Sequence, residues 1–281
     1  MMIRRLSPAK VNLHLRVLRK REDGYHDILT LMQRISLYDE MLFSPIEHGI
    51  TVTCPDSTLP ENEENIVYKA AKIFFSHTSC PRGIHITIRK SIPVAAGLGG
   101  GSSNAATTLM ALNEMQNLPC TIDDLMKMGS TLGADVPFFI FGKTAWATGI
   151  GDHFQSVEEI PSLWFVLVTP SFEVSTKMVY DKLNFRLTKR ALKYKCSRLY
   201  TVEDLVKTLY NDLEKVTLNL YPILQHFKDL LLKQGAHGAL MSGSGPTVFG
   251  IFTQEKKASK AEAVLREMGT GAWSVFRAHQ I

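Results

Sequence analysis

A glycine-rich stretch from Pro93 to Ala106 constrains this chain more than any other segment, and it reads P-V-A-A-G-L-G-G-G-S-S-N-A-A. Four of the nineteen glycines fall within five positions here, and two serines and an alanine-rich run follow. Glycine permits positive φ angles and lets a ligand approach the main chain closely. Ser102 or Ser103 is a suitable N-cap for the helix predicted after them. Because a glycine loop leading into a helix N-terminus presents unpaired N–H groups and a positive dipole end, we interpret it as a phosphate-binding loop.

A membrane helix is a weaker interpretation of the same stretch. Residues 91–113 carry no charge, and Gly97 and Gly101 have the G-x-x-x-G spacing of packed membrane helices. Pro93, the polar positions and the glycine cluster would make such a helix weak. A purely structural glycine turn remains an open alternative.

Two familiar nucleotide-binding patterns do not fit. The register Gly97, Gly99, Ser102 departs from the dinucleotide motif G-x-G-x-x-G at its last position. Residues 142–144, G-K-T, match the end of a Walker loop, but Pro137 stands where the first glycine belongs.

Composition limits the classes of protein and partner. A length of 281 residues allows one large domain or two modest ones, and the net charge of +5 is dispersed, which suits an anionic small molecule rather than nucleic acid. The four cysteines lie far apart without C-x-x-C, as is typical of reduced thiols in a cytoplasmic protein. The N-terminal residues form no apolar signal segment, and we expect no membrane partner.

The first half combines strands with helices. Apolar and polar residues alternate over 11–18, which predicts a half-buried strand. Asn62 is the expected cap of a helix over 65–76, and Thr121 with Asp124 resembles a capping box.

The first half ends with a loop running into an apolar segment at 135–141, and the second half changes character near residues 150–162, where turn residues occur. The predicted elements of the second half are a buried strand at 163–170, a helix capped by Ser175, a loop at 186–200, helices at 202–217 and 221–234, strands at 237–242 and 247–253, a helix at 255–268 and a strand at 272–278. This order predicts the α+β class, with domains at 1–155 and 156–281 and a ferredoxin-like sheet in the second.

Three further motifs accompany the glycine stretch. S-P-A-K-V-N-L at 7–13 places Lys10 at the start of a strand, and L-G-A-D-V-P at 132–137 places Asp135 in a tight turn. M-S-G-S-G-P-T-V-F at 241–249 is a second glycine-rich loop between two predicted strands.

These motifs together resemble one kinase superfamily. P-x-x-x-G-L-G-x-S-S-x-A is the nucleotide loop of the GHMP kinases, named for galactokinase, homoserine kinase, mevalonate kinase and phosphomevalonate kinase. The form G-L-G-G-G-S-S-N-A-A, with Gly101 as a third consecutive glycine, resembles that of the 4-diphosphocytidyl-2-C-methyl-D-erythritol kinase family. So do P-A-K-V-N-L, D-G-Y-H, G-A-D-V-P-F-F and S-G-S-G-P-T-V-F, which run in family order from residue 7 to residue 249.

The resemblance implies a fold and a reaction. The implied two-domain GHMP kinase fold has an N-terminal β-rich α/β domain, like domain 2 of ribosomal protein S5, and a C-terminal ferredoxin-like α+β domain. The implied reaction is ATP-dependent phosphorylation of the 2-hydroxyl of 4-diphosphocytidyl-2-C-methyl-D-erythritol in the non-mevalonate isoprenoid pathway. The expected partners are this small molecule and ATP with Mg²⁺, and the expected state is a monomer or weak homodimer.

The resemblance also assigns residue roles, motif by motif. Asp135 is the expected catalytic base and Lys10 its partner. The implied ATP-binding residues are Asn65, Pro93, Val94, Ala95, Ala96, Gly97, Leu98, Gly99, Gly100, Gly101, Ser102 and Ser103. The implied substrate-binding residues are Asn12, Tyr25, His26, Lys143 and Thr176, with Gly243, Ser244 and Gly245 bordering the site. The sequence offers no acidic cluster dedicated to a metal, so it names no metal ligand.

The chemistry of these residue types agrees with the assignments. Phosphoryl transfer depends on positioning and on charge stabilisation. An aspartate can accept the proton of an alcohol, and a neighbouring lysine keeps that carboxylate ionised. Taken singly, Lys10 is more typical of a solvated strand edge, Asp135 and Tyr25-His26 of turns, and Asn65 of a helix start; only the motifs in family order favour the site roles.

Other functions remain alternatives. One is another GHMP small-molecule kinase or a related decarboxylase that acts on a different alcohol. The other is a catalytically inactive relative that binds ATP or a sugar.

Overall fold

The computed structural model describes residues 2–55, 57–78, 83–117, 120–157, 160–183 and 201–281. The strands in these ranges are β1 (Ile3–Lys20), β2 (His26–Ile46), β3 (Ile50–Thr53), β4 (Gly83–Arg89), β5 (Ala145–Thr148), β6 (His153–Ser156), β7 (Trp164–Pro170), β8 (Tyr210–Asn211), β9 (Gly238–Met241), β10 (Val248–Phe252) and β11 (Trp273–His279). The helices are α1 (Ile66–Thr78), α2 (Gly100–Met115), α3 (Ile122–Leu132), α4 (Val136–Phe141), α5 (Thr176–Asp181), α6 (Val202–Thr208), α7 (Asp212–Leu220), α8 (Ile223–Lys233) and α9 (Glu255–Gly269).

The chain forms two compact units, each assembled from separate stretches. Unit 1 comprises Met1–Ala9, Tyr38–Pro93 and Gly99–Gly142, and unit 2 comprises Lys10–Leu37, Val94–Leu98 and Lys143–Ile281. The predicted division into residues 1–155 and 156–281 stays a prediction.

Unit 1 combines a small sheet with a group of helices. β4 pairs in parallel with β3 and antiparallel with the Glu40–Ile46 part of β2. Helices α1, α2, α3 and α4 pack against one another. Helix α2 has a single charged residue, Glu114 in its last turn, and it buries Ala105, Ala106, Leu109 and Leu112, as a helix that is apolar on most sides does in a core.

Helix α4 corrects one prediction. The predicted loop running into an apolar segment at 135–141 is instead a helix from its second residue onward, because Val136–Phe141 form α4 with a proline in its first turn. Proline is tolerated there because the first N–H groups of a helix have no intrahelical acceptor. The capping box of α3 is confirmed, with Thr121 Oγ1 accepting from the Asp124 amide at 3.2 Å.

Strand β1 is buried more completely than its alternating pattern predicts. The half-buried interpretation of residues 11–18 is wrong, because Asn12 and His14 on the polar face are as buried as Val11 and Leu13. Hydrogen bonds make this burial possible: Asn12 Nδ2 donates to Thr30 Oγ1 at 2.9 Å, and His14 Nδ1 contacts the Thr208 carbonyl at 2.7 Å.

Unit 2 contains the second sheet. Its strands are antiparallel in the order β11-β7-β10-β9, and helices α8 and α9 pack on them around a core that includes Val166, Leu231 and Leu265. This order, with β9 and β10 joined by a short connection, confirms the α+β class and is typical of a ferredoxin-like sheet.

The helix predicted over 202–217 is wrong. It is interrupted at Leu209, and Tyr210–Asn211 form β8, which pairs in parallel with His14 and Leu15 of β1. Asn211 then caps α7, since its Oδ1 accepts from the Leu213 amide at 2.9 Å. The N-cap of α5 by Ser175 is confirmed. The predicted loop at 186–200 lies outside the described residues.

Candidate active site

The first glycine-rich loop leads into α2 earlier than predicted. Helix α2 begins at Gly100, after an N-cap at Gly99 whose φ of 70° is left-handed, so the prediction of Ser102 or Ser103 as N-cap is wrong. Only glycine adopts this conformation without a steric cost, which moves the helix start ahead of the serines. Ser102 therefore lies in the first turn, where the backbone N–H groups have no intrahelical acceptor and are available to an anion, whereas the Ser103 amide donates to the Gly99 carbonyl at 2.9 Å.

A buried polar network in unit 1 supports this loop, and the sequence interpretation missed it. Asp39 of β2 is fully buried and accepts from the amides of Ser91 and Ile92 at 2.8 and 2.9 Å. It also forms an ion pair with Lys90 and accepts from Asn104 Nδ2 at 2.9 Å. Asp27, Arg34 and Glu40 lie in the same strand, so charge alone does not distinguish Asp39 in the sequence.

Lys10 and Asn12 of unit 2 lie side by side on β1. Lys10 is 4% exposed, and its Nζ donates to Asn12 Oδ1 at 2.7 Å. Asn12 in turn donates to Thr30 Oγ1, which donates to the His14 carbonyl at 2.7 Å. The ammonium group is therefore held in place by an amide whose own orientation is fixed.

Three segments of unit 2 meet at the start of this strand. The Lys10 amide donates to the Leu98 carbonyl at 2.9 Å, and the Asn12 amide donates to Ser242 Oγ at 3.3 Å. Ser242 Oγ donates to the Gly97 carbonyl at 2.9 Å. The structure thus brings together the predicted residues Lys10, Asn12, Gly97 and Leu98 with the second glycine-rich loop.

Glycine is required at Gly97 by both backbone conformation and space. Its φ is 77°, and an added Cβ would lie 2.1 Å from the Ser242 carbonyl oxygen. At Gly243, an added Cβ would lie 3.3 Å from Asn12 Oδ1 and 3.4 Å from the Gly97 carbonyl oxygen. The two glycine-rich loops therefore approach each other through backbone atoms.

Uncharged side chains donate hydrogen bonds to backbone carbonyls of the second glycine-rich loop. Asn211 Nδ2 donates to the carbonyls of Met241 and Gly243, both at 2.8 Å. Thr217 Oγ1 donates to the Ser244 carbonyl at 3.2 Å. The sequence interpretation also missed these two positions, because they follow the interruption of the predicted helix at Leu209.

Asp135 lies in unit 1, in the short connection between α3 and α4. It is the N-cap residue of α4, is half-buried and has right-handed helical backbone angles. Asn65, also in unit 1, is buried and caps α1 by accepting from the Val67 amide at 2.9 Å. The prediction that Asn62 caps this helix is wrong, since its Oδ1 accepts from Glu64 instead.

The remaining predicted substrate residues lie in unit 2. His26 stacks on Tyr180 with ring centroids 4.8 Å apart, and the neighbouring Tyr25 is 57% exposed. Burial, followed by the charge of Lys20, lowers the pKa of His26 against the opposing effect of Asp181. A neutral imidazole keeps one nitrogen available as an acceptor at neutral pH.

Thr176 and Lys143 are the other two predicted substrate residues of unit 2. Thr176 Oγ1 lies 2.8 Å from Ser244 Oγ, so this predicted residue contacts the second glycine-rich loop. Lys143 is exposed and follows the left-handed C-cap Gly142 of α4. Within the described ranges, no helix is long and apolar enough to span a membrane, and no three histidine, cysteine, aspartate or glutamate side chains group as a metal site would require.

Family models match both halves of the sequence. The model of the GHMP kinases N terminal domain matches residues 65–143, and the model of the GHMP kinases C terminal matches residues 192–271. The first match includes the glycine-rich loop and Asp135, and the second includes Gly243, Ser244 and Gly245.

Similar proteins are found at high identity over nearly the whole chain. The chain is 60% identical over 275 residues to a 4-diphosphocytidyl-2-C-methyl-D-erythritol kinase of Syntrophus aciditrophicus, covering 98% of each chain. It is 50% identical to the kinase of the same name from Syntrophotalea carbinolica, covering 96% of this chain and 97% of the relative.

Solved structures agree with these relatives. A crystal structure of 4-(cytidine 5'-diphospho)-2C-methyl-D-erythritol kinase superposes with a TM-score of 0.84 at 33% identity, covering 99% of both chains. A homoserine kinase from Cytophaga hutchinsonii shares the fold, with a TM-score of 0.76 at 19% identity, covering 100% of this chain and 94% of that one. The chain therefore belongs to the GHMP kinases and, among them, to the 4-diphosphocytidyl-2-C-methyl-D-erythritol kinase family.

Proposed function

We propose that this protein transfers the γ-phosphoryl group of ATP to the 2-hydroxyl of 4-diphosphocytidyl-2-C-methyl-D-erythritol. The products are the 2-phosphate and ADP, and the reaction is a step of the non-mevalonate route to isoprenoids. The carrying observation is the junction in unit 2, where hydrogen bonds join Lys10 and Asn12 to Gly97, Leu98 and Ser242. This junction unites three of the motifs that carry the sequence resemblance to the family.

The glycine-rich loop is proposed to bind the phosphates of ATP. The amides at the start of α2 and the positive end of its dipole suit the negative charge of the β-phosphate. Residues 93–103 would surround the phosphates, and Asn65 would lie near the adenine. The side-chain Nδ2 of Asn65 already donates to the Pro60 carbonyl at 2.7 Å, so we expect its contribution to adenine binding to be through packing.

Asp135 and Lys10 are proposed to act on the alcohol. The Asp135 carboxylate accepts the proton of the 2-hydroxyl as its oxygen forms a bond to the γ-phosphorus. The bond between that phosphorus and the β-γ bridging oxygen breaks, and ADP leaves with the electron pair. The Lys10 ammonium offsets the negative charge that develops during transfer, and its contact with Asn12 fixes its direction.

The cytidine end of the substrate is proposed to bind near His26. A neutral imidazole stacked on Tyr180 offers an acceptor to the exocyclic amine of a cytosine, and Tyr25 offers an aromatic surface. Thr176 and Lys143 are proposed as further substrate contacts, with Gly243, Ser244 and Gly245 at the border of the site.

Mg²⁺ is proposed to accompany ATP. Magnesium prefers oxygen ligands and retains several waters, so phosphate oxygens can supply most of its ligands. This suits the residues described here, which offer no group of three or more carboxylate, histidine or cysteine side chains. When bound, the ion neutralises phosphate charge during transfer.

The setting of the reaction is proposed to be the cytoplasm, with the protein a monomer or weak homodimer. Cys54 and Cys120 are free, and burial, followed by the charge of Glu61, raises the pKa of the Cys54 thiol. A thiol of this kind is unreactive, which is consistent with a structural role in a reducing compartment.

A coupled ADP-release assay tests the reaction. We expect turnover with 4-diphosphocytidyl-2-C-methyl-D-erythritol and none above background with mevalonate or homoserine. Turnover of either other alcohol instead would identify a different kinase of the superfamily. ATP binding without turnover of any alcohol would identify an inactive relative.

The role of Asp135 is tested by Asp135→Asn. We expect kcat to fall by roughly 10²–10⁴-fold while ATP still binds, because the amide cannot accept the proton. Asp123→Asn, an exposed position in the first turn of α3, is the matched control and should leave kcat unchanged. An Asp135→Asn enzyme with normal kcat would remove this residue from the mechanism.

A further inference from the structure

Asp39 makes more hydrogen bonds than a structural ion pair needs. Its carboxylate is fully buried in β2 of unit 1. Oδ1 accepts from the backbone amides of Ser91 and Ile92, and Oδ2 accepts from Lys90 Nζ and from Asn104 Nδ2. Four donors thus converge on one carboxylate.

These donors flank the glycine-rich loop on both sides. Ser91 and Ile92 form the segment that leaves β4 just before Pro93, and Asn104 lies in α2 just after Ser103. A single carboxylate therefore fixes where the loop departs from the sheet and where it enters the helix. A buried ion pair alone would need only the contact with Lys90.

The network continues from Asp39 into the first turn of α2. Asn104 Nδ2 also donates to Ser7 Oγ at 2.9 Å, and Ser7 Oγ donates to Ser103 Oγ at 2.8 Å. Lys90 Nζ contacts Asn104 Oδ1 at 3.3 Å. The rotamers of Asn104 and Ser103 are therefore determined by groups that lead back to β2.

Lys90 approaches the loop closely as well. An added Cβ at Gly100 would lie 3.2 Å from Lys90 Nζ and 3.0 Å from Ile92 Cγ2. The first residue of α2 therefore packs directly on the side chains that Asp39 organises. Because amides bind an oxyanion best when their directions are fixed in advance, a rigid support beneath this turn strengthens phosphate binding.

We propose that Asp39 is a positioning residue for ATP, which holds both ends of the phosphate loop at the separation that nucleotide binding requires. The inference rests on the proposed function, since it assumes that the loop binds ATP. Asp39 acts through Ser91, Ile92 and Asn104 and has no contact with the alcohol substrate in this role.

Asp39→Asn tests the proposal through separate kinetic constants. We expect the KM for ATP to rise by about tenfold or more while the KM for 4-diphosphocytidyl-2-C-methyl-D-erythritol stays within about twofold. Glu40→Gln is the matched control: it is the next residue of β2, and its carboxylate pairs with Arg4 at the surface at 2.7 Å. Glu40→Gln should leave both constants unchanged.

A second variant keeps the test valid if Asp39→Asn does not fold. Asn104→Ala removes the link to α2 but leaves the Asp39–Lys90 pair and both backbone contacts in place. We expect it to raise the KM for ATP by about threefold to tenfold. Asn113→Ala, on the same helix with one hydrogen bond to the Cys120 carbonyl, should not.

The outcomes separate positioning from stability and from the proposed function. A loss of stability alone lowers the amount of active enzyme and leaves both KM values unchanged, and that result in these variants would overturn the inference. Failure of the proposed function shows itself earlier, as absent turnover in the unmodified protein.

Discussion

The two glycine-rich loops are supported by different kinds of side chain. The first loop leaves β4 and enters α2 beside a buried ion pair, Asp39 with Lys90, in unit 1. The second loop, between β9 and β10 of unit 2, is held by an amide and by hydroxyl groups, chiefly those of Asn211 and Thr217. Both supports direct hydrogen bonds at the backbone of a loop rather than at a ligand.

The kind of supporting side chain follows from the backbone groups that it contacts in each loop. The charged support accepts from backbone N–H groups, and a carboxylate is the stronger acceptor for them. The neutral support donates to backbone carbonyls, for which amide and hydroxyl donors suffice without a buried charge. A carboxylate support gives stronger hydrogen bonds than a neutral one. If the Asp39 carboxylate is lost, however, the charge of Lys90 is left buried without its partner, which costs free energy of folding.

The most damaging change should come where the loops touch. Gly97→Ala forces a left-handed conformation on alanine and places its Cβ 2.1 Å from the Ser242 carbonyl oxygen. We expect the free energy of unfolding to fall by about 4 kcal/mol or more, or the protein to fail to fold, as measured by chemical denaturation.

Gly101→Ala, in the first turn of α2, is the control within the same glycine-rich stretch. Its nearest heavy atom to an added Cβ is 3.8 Å away, so alanine fits, and it favours the helix. We expect stability to stay constant or to rise by up to about 1 kcal/mol. Equal losses for the two variants would show that the contact between the loops does not explain the requirement for glycine at Gly97.

Charged and neutral supports can be ranked by stability. Asp39→Asn should cost about 3–5 kcal/mol of unfolding free energy, because the buried Lys90 loses its charged partner. Asn211→Ala should cost about 1–3 kcal/mol, because two buried carbonyls and the cap of α7 each lose a neutral partner.

The variants Asp39→Asn and Asn211→Ala also distinguish the functions of the two loops. In denaturation curves at one temperature, a cost for Asn211→Ala as large as that of Asp39→Asn would contradict the distinction between the supports. We expect only Asp39→Asn to raise the KM for ATP selectively, since Asn211 supports the second loop.

We expect low pH to reduce the free energy of unfolding through His14, which lies beside Asn211, by less than these substitutions do. Burial has the largest effect on the pKa of His14 and lowers it. The contact with the Thr208 carbonyl and the charge of Asp212 oppose this shift, and the charge of Arg16 adds to it. His14 pairs with β8 beside Asn211. Because the unfolded chain then binds more protons than the folded one, the free energy of unfolding should fall as pH drops below about 6.5. Above that pH both states carry a neutral His14, and its contribution is constant.

Replacing the imidazole isolates this effect. His14→Gln should flatten the decline in stability between pH 6.5 and the lower pKa of the folded state, whereas His226→Gln, at an exposed position of α8, should leave it unchanged. A decline of the same steepness in His14→Gln would assign the acid sensitivity to other groups.

The sequence predicted the elements that depend on local signals. The capping box at Thr121, the cap at Ser175 and the ferredoxin-like sheet are confirmed, because caps and periodicity act over a few residues. The start of α2 and the continuous helix over 202–217 were predicted wrongly, since left-handed Gly99 and the pairing of β8 with β1 override the local preference.

The supports of the site could not be predicted in the same way. Asp39 reads as an ordinary charge in a strand, and its donors lie 51 to 65 positions further along the chain. Spacing along the sequence does not encode such contacts. The roles of Lys10, Asp135 and the substrate residues stay predictions that rest on the family motifs.

The Ser242 hydroxyl has a consequence for the order in which the protein folds. It accepts from the Asn12 amide, 230 positions away, and donates to the Gly97 carbonyl, 145 positions away. Contacts of such long range repay their loop-closure entropy only after most of the chain has been ordered. During synthesis the phosphate loop therefore emerges long before Ser242, which adds to the direct bond between the Lys10 amide and the Leu98 carbonyl, and we expect nucleotide binding to be among the last properties that the nascent chain acquires.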